Sequence, residues 1–173
     1  MNRDIIILNE LQASTVQFII EDIIRINKED SKRECSVVGY KRDPINIYIN
    51  SEGGECRPTR ALINVILNSV TQVNTINIGV CSSSALILYL AGTERSVIGE
   101  VEFMAHNTSY STSGDLTNMR RDLEHVERET ERIEAFLCSR TKIKLEDIHK
   151  LNEERNNWYI LEDEARELGI INK

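Results

Sequence analysis

Proline is scarce, at two residues, and glycine stands at eight, too few of either for long flexible linkers. The four cysteines, Cys35, Cys56, Cys81 and Cys138, form no Cys-x-x-Cys pair and share no metal-ligand spacing with the three histidines. No metal site is expected from them, and they read as reduced thiols of a cytoplasmic protein. No basic-plus-apolar leader and no apolar run of membrane-spanning length is present, so neither a signal peptide nor a transmembrane helix is expected. Internal repeats and low-complexity tracts are absent as well. Positive charge is in deficit: 21 Lys and Arg face 28 Asp and Glu, a net charge of -7. That argues against nucleic acid or an anionic membrane surface as partner.

What remains is one globular domain of 173 residues, 40% apolar and 28% charged, enough for a proper core. Ile5 to Leu8 open it as a strand, and Ser14 or Thr15 is placed to cap a helix carrying Val16, Ile19, Ile20, Ile23 and Ile24 at helical spacing. From Asn27 to Asp43 the chain is charged and unpatterned, which predicts an exposed loop with a short extended piece at Ser36–Val38. Pro44 to Asn50 alternates and is β-branched, a strand. It ends in Ser51-Glu52-Gly53-Gly54, and a helix follows from near Pro58 with Leu62, Val65, Ile66 and Val70 inward. Paired glycines at a strand-to-helix junction let another backbone or a ligand approach closely.

The next stretch organises the chain. An apolar strand with Ile76, Ile78 and Val80 runs through Cys81-Ser82-Ser83-Ser84 into Ala85 to Ala91, and Gly92 is expected to close this helix in a left-handed C-terminal turn. A helix apolar on nearly every side must be buried. The serine cluster therefore sits where a buried helix begins, among free backbone N–H groups and the positive end of the helix dipole. Such a serine either caps the helix or serves as a nucleophile beside an oxyanion site. Two further strands, Arg95–Ile98 and Val101–Ala105, turn at Gly99, and the second ends at His106. His125 and His149 lie in charged helical stretches. The polar segment Asn107–Gly114 precedes a long helix marked by Leu116, Met119, Leu123, Val126, Ile133 and Leu137, whose charged face suits either a protrusion, a partner surface or an ordinary surface helix. A shorter helix around Leu145, Ile148 and Leu151 and a last one from about Glu162 to Leu168 complete an α/β domain with a largely parallel sheet.

Four segments in order carry a resemblance to a known family: INIYINSEGG (45–54), GVCSSSALILYLAG (79–92), FMAHN (103–107) and EARELGIIN (164–172). With them the chain resembles ClpP, the proteolytic subunit of the Clp protease, from Asp4 to Asn172. The resemblance implies the α/β ClpP/crotonase-like fold, a repeated β-β-α spiral in a single domain over 1–173, with a protruding handle at about 107–158. It implies serine endopeptidase activity, with Ser83 as nucleophile, His106 as base, and an oxyanion held by the N–H groups of Gly54 and Ser84 beside Gly53. No cofactor is implied. Peptide or unfolded protein would be the substrate, lying between the Gly53-Gly54 strand and the segment 107–113. Self-association into a heptameric or double ring is implied, with a Clp ATPase or a ClpP paralogue as further partners.

Some residues depart from the family pattern. Asn157 falls where the family has the aspartate of its triad. An amide oxygen can accept the imidazole Nδ1–H and set the tautomer, but it brings no charge; in a trypsin-type triad that exchange costs roughly 10⁴ in turnover. Asn156 replaces an arginine used in contacts between rings. Glu52 replaces a proline and should disfavour acidic substrates. The first strand begins almost at Met1, without the pore-lining segment that contacts the ATPase, and residues 30–43 exceed the family's connection. A catalytically silent subunit of a mixed ring is therefore the alternative reading. A crotonase-type acyl-CoA enzyme is a third, but it leaves Ser83 and His106 unexplained.

Overall fold

The computed structural model describes residues 2–107, 110–154 and 157–173. Strand and helix alternate three times: β1 (Asp4–Ile7), α1 (Ala13–Ser36), β2 (Ile45–Ser51), α2 (Cys56–Leu67), β3 (Val73–Ser82) and α3 (Ser84–Leu90). Two strands follow, β4 (Arg95–Val97) and β5 (Glu102–Ala105), then α4 (Leu116–Arg140), α5 (Leu145–Glu154), β6 (Trp158–Leu161) and α6 (Glu162–Glu167). The six strands form one sheet in the order β1-β2-β3-β5-β6, with β4 also on β3. All pairings are parallel except β5 with β6. The largely parallel α/β sheet expected from the sequence is what forms.

β3 is long enough to hold two neighbours in succession on one side. β4 pairs with Thr75–Asn77, and β5 pairs with Val80–Ser82. The alternation in β2 buries Ile45, Ile47, Ile49 and Ser51, while Asn46, Tyr48 and Asn50 face the other way. The buried isoleucines share one core with Val16, Ile19, Ile23 and Ile26 of α1 and Leu62, Ile63 and Ile66 of α2. α3 lies inside this core, with Leu86, Leu88, Tyr89 and Leu90 no more than 1% exposed.

α4 differs. Of its 25 residues only Leu137, near its end, is buried, and Leu116, Met119 and Leu123 are exposed. Asp115 caps it by accepting from the N–H groups of Thr117 and Asn118. It projects from the domain and is tied back by an ion pair between Arg60 of α2 and Glu129. Its last residue, Arg140, donates to the Leu90 and Gly92 carbonyls at 2.8 and 2.7 Å. Arg95, 4% exposed, donates to the carbonyls of Gly92, Arg140, Gly169 and Ile170. The C-terminal ends of α3, α4 and α6 thus converge on one guanidinium, whose charge their dipoles offset.

Several local expectations are corrected. The loop expected over residues 27–43 is helical as far as Ser36, because Ile26 and Asp30 continue the inward stripe of Val16, Ile19 and Ile23. Asp30 masks that continuation in the sequence, since a carboxylate at a core position breaks the apolar pattern. It is 1% exposed and fully partnered: Arg3 donates two bonds at 2.9 and 2.5 Å, Tyr40 one at 2.5 Å and Thr71 one at 2.7 Å. Neither Ser14 nor Thr15 caps α1; Gln12 holds that position without a side-chain bond. α2 begins at Cys56, which leaves Pro58 in its first turn, where a missing N–H costs nothing, and leaves Val70 outside and exposed. Gly92 does not adopt the expected left-handed turn. It is small because a side chain there would collide with Thr75, whose hydroxyl donates to the Tyr89 carbonyl. β6 is a strand that the sequence pattern does not predict.

Arg3 and the other donors hold the Asp30 carboxyl well below the usual carboxylate range. Its stabilising contribution is therefore complete above the ordinary Asp titration and fades as pH falls through and below it. Asp30→Asn should destabilise the fold by about 3 kcal/mol at neutral pH. The loss should shrink progressively in acid, as read by urea unfolding at a series of pH values.

Candidate active site

Ser83 stands between the last residue of β3 and the first of α3, with φ 55° and ψ -126°. It is the one described residue other than glycine with positive φ. An L-residue held there stores strain, of order 1–3 kcal/mol, and persists only where its surroundings impose it. Two neighbours do so. On one side the Ser83 N–H donates to the Met104 carbonyl of β5 at 2.8 Å. On the other lies Gly53, where a Cβ would come within 2.8 Å of the Ser82 carbonyl and 2.9 Å of Ser83 Cβ. Only glycine, at φ +106°, fits this contact.

β5 carries the histidine to the same place. Ser82 pairs with Met104, so the chain emerging two residues later from β5 reaches the turn. His106 Nε2 and Ser83 Oγ are 2.8 Å apart. Cys81, one step before the serines, is fully buried, and burial pushes its thiol up, which keeps it a packing group.

The glycine pair is arranged by residues that carry no signal of this role in the sequence. Leu11 forms a parallel bridge with Gly54, donating to the Gly53 carbonyl at 2.8 Å and accepting from the Glu55 N–H at 2.9 Å. In such a bridge the paired residue's own N–H points to the opposite side. Ser51 Oγ accepts from the Gly53 N–H at 3.2 Å and donates to the Asn9 carbonyl at 2.8 Å. Ser84 Oγ donates to the Gly54 carbonyl at 3.2 Å. Two N–H groups are left over: among the described residues nothing accepts from Gly54 or from Ser84. Leu11 and Ser51 both act through backbone partners, in the case of Leu11 and Asn9 far along the chain from the glycines, which no local motif reveals.

Asn157 is exposed and its Nδ2 donates to the Tyr159 hydroxyl at 3.2 Å. The structure brings Ser83, His106, Gly53, Gly54 and Ser84 together, but it does not bond Asn157 to His106. Among the described residues nothing bonds His106 Nδ1. Asn156, and residues 108 and 109 of the expected peptide-facing segment, lie outside the described residues.

A serine on a strained strand-to-helix turn, a histidine at its hydroxyl and two uncommitted N–H groups beside it form the layout of a hydrolase of the serine type. The family comparison narrows this. The family model for Clp protease matches residues 1–173, the whole chain, and the protein belongs to that family. No helix among the described residues is long and apolar enough to cross a membrane.

The strain at Ser83 has a measurable consequence. Ser83→Gly should be more stable than Ser83→Ala by about 1 kcal/mol, because glycine relieves the positive φ at some cost in chain entropy. Thermal unfolding of the two variants side by side decides it, and equal midpoints would mean that the turn is unstrained.

Proposed function

We propose that the protein is a ClpP-type serine endopeptidase in which Ser83 is the nucleophile and His106 the general base. The observation that carries this reading is the 2.8 Å approach of His106 Nε2 to Ser83 Oγ on the strained turn. As Ser83 Oγ attacks a peptide carbonyl, Nε2 takes its proton. The oxyanion forms against the Gly54 and Ser84 N–H groups, each such donor being worth about 10²–10³ in rate. His106 then gives the proton to the leaving amine. The acyl group stays on Ser83 until water, deprotonated by the same nitrogen, releases it. Asn157, through its amide oxygen, sets the imidazole tautomer in place of a carboxylate, and its lack of charge leaves turnover well below that of an Asp-containing site.

The whole chain acts as one unit, with residues 107–158 as the handle. The exposed stripe of Leu116, Met119 and Leu123 suits it for contact between subunits of a ring. Peptides and unfolded proteins are the substrates in this reading, added as a strand beside Gly53-Gly54. A Clp ATPase or a ClpP paralogue would be the partner, in the cytoplasm. A second reading, a silent structural subunit of a mixed ring, draws support from the lack of any bond between Asn157 and His106 among the described residues.

Labelling with a fluorophosphonate, followed by mapping of the modified residue, separates the two. Modification at Ser83, abolished in Ser83→Ala and reduced at least a hundredfold in His106→Ala, is the expected result. Asn157→Asp should raise peptide hydrolysis by about tenfold or more. A folded, assembled protein that stays unlabelled, with and without Asn157→Asp, would leave the silent subunit as the reading.

A further inference from the structure

We propose that Asn77 is a positioning residue that fixes where β5 lies along β3, and through it the place of His106 beside Ser83. The inference rests on the reading of Ser83 and His106 as nucleophile and base. Asn77 stands at the point where β3 changes partner. It is the last residue paired with β4, opposite Val97, and its carbonyl accepts from the Ile98 N–H at 2.9 Å. Its side chain is fully buried and turns to the next strand, where Nδ2 donates to the Glu102 carbonyl, at the first residue of β5, at 3.1 Å. Oδ1 accepts from the Gly79 N–H at 3.0 Å. Both partners are backbone groups, one that only donates and one that only accepts, so they fix which way round the amide sits.

The chain needs such a group here because β3 bulges. From Ile49 opposite Asn77 to Ser51 opposite Cys81, β2 advances two residues while β3 advances four. The extra residues interrupt the ladder with β2. Asparagine side chains accept from the N–H groups there, Asn77 Oδ1 from Gly79 and Asn50 Oδ1 from Val80 at 2.9 Å. Of the two, Asn77 also bonds β5. β5 meets β3 over three pairs, Val80–Glu102, Cys81–Phe103 and Ser82–Met104. β6 pairs with the other edge of β5 and not with β3, so it does not set this register. The Asn77 bond pins the start of the short ladder, and the bond from the Ser83 N–H to the Met104 carbonyl pins its end. A strand advances about 3.3 Å per residue, and a slip by one residue turns every side chain to the opposite face. In the register held at both ends, His106 Nε2 comes to 2.8 Å from Ser83 Oγ.

The test uses the full-length chain and follows the rate of Ser83 modification by a fluorophosphonate. Asn77→Ala removes both bonds, whereas Asn77→Asp keeps an acceptor for Gly79 and puts a second oxygen against the Glu102 carbonyl. Each is made alone and together with His106→Ala, and urea unfolding establishes that the chains compared are folded. Beside His106, both changes should slow modification roughly ten- to hundredfold, the scale expected when a catalytic group is slightly misplaced. On the slower residual rate of His106→Ala they should have no effect beyond about twofold, because a residue acting through His106 has nothing left to position. Equal slowing in both backgrounds would make Asn77 a support of the fold at large and overturn the inference. So would no slowing beside His106, or failure of both variants to fold. These outcomes leave the Ser83–His106 reading standing. A natural chain that is not modified, or one that loses nothing in His106→Ala, would overturn that reading and the inference with it.

Discussion

The fold turns on a single backbone constraint, the left-handed conformation of Ser83 at the end of β3. An unconstrained L-residue would leave that conformation, so the surroundings must over-determine it. They do so from both sides, through the Met104 carbonyl of β5 and the close approach of Gly53. Each of these needs its own support. β5 is placed by pairing with the far half of β3, and Gly53-Gly54 is placed by the Leu11 bridge and the Ser51 hydroxyl. The core packing of α3 fixes the chain on the C-terminal side of the serine. Much of the sheet therefore contributes to keeping one residue in a conformation it would not choose.

The same arrangement decides which polar groups remain available. Buried backbone N–H groups are almost always paired. At this turn the Ser83 N–H is committed to Met104 and the Gly53 N–H to Ser51. Among the described residues, the N–H groups of Gly54 and Ser84 have no acceptor. Preorganised donors of this kind need no rearrangement when negative charge develops, and that is where electrostatic catalysis draws its strength.

Much of this was legible in the sequence where local pattern and tertiary role agree. The alternation of Ile45, Ile47 and Ile49, the apolar run after Ser83, and His106 at the end of an apolar strand all mark elements that the structure contains. The readings that failed share a physical cause. Asp30 sits in the core stripe of α1 and looks like loop sequence until Arg3, Tyr40 and Thr71 arrive from elsewhere in the chain. Gly92 is small for the sake of Thr75, a neighbour no local rule can see. β6 is four residues long and declares itself only by pairing with β5. Which of the two adjacent glycines keeps a free N–H depends on Leu11 and Ser51, so a Gly-Gly motif alone does not resolve it.

Two guanidiniums join distant parts of this chain, and they answer to acid differently. Arg3 meets a carboxylate, which can be protonated. Arg95 meets only carbonyl oxygens at the ends of three helices, and among the described residues no carboxylate bonds it. Burial and the nearby charge of Arg140 press its pKa down, yet nothing it binds titrates. Acid therefore loosens the edge where β1, the end of α1 and the residues around Tyr40 meet, while the joint of α3, α4 and α6 keeps its bonds. In acid, amide hydrogen exchange should therefore rise first around β1 and last at the seam that anchors the serine helix.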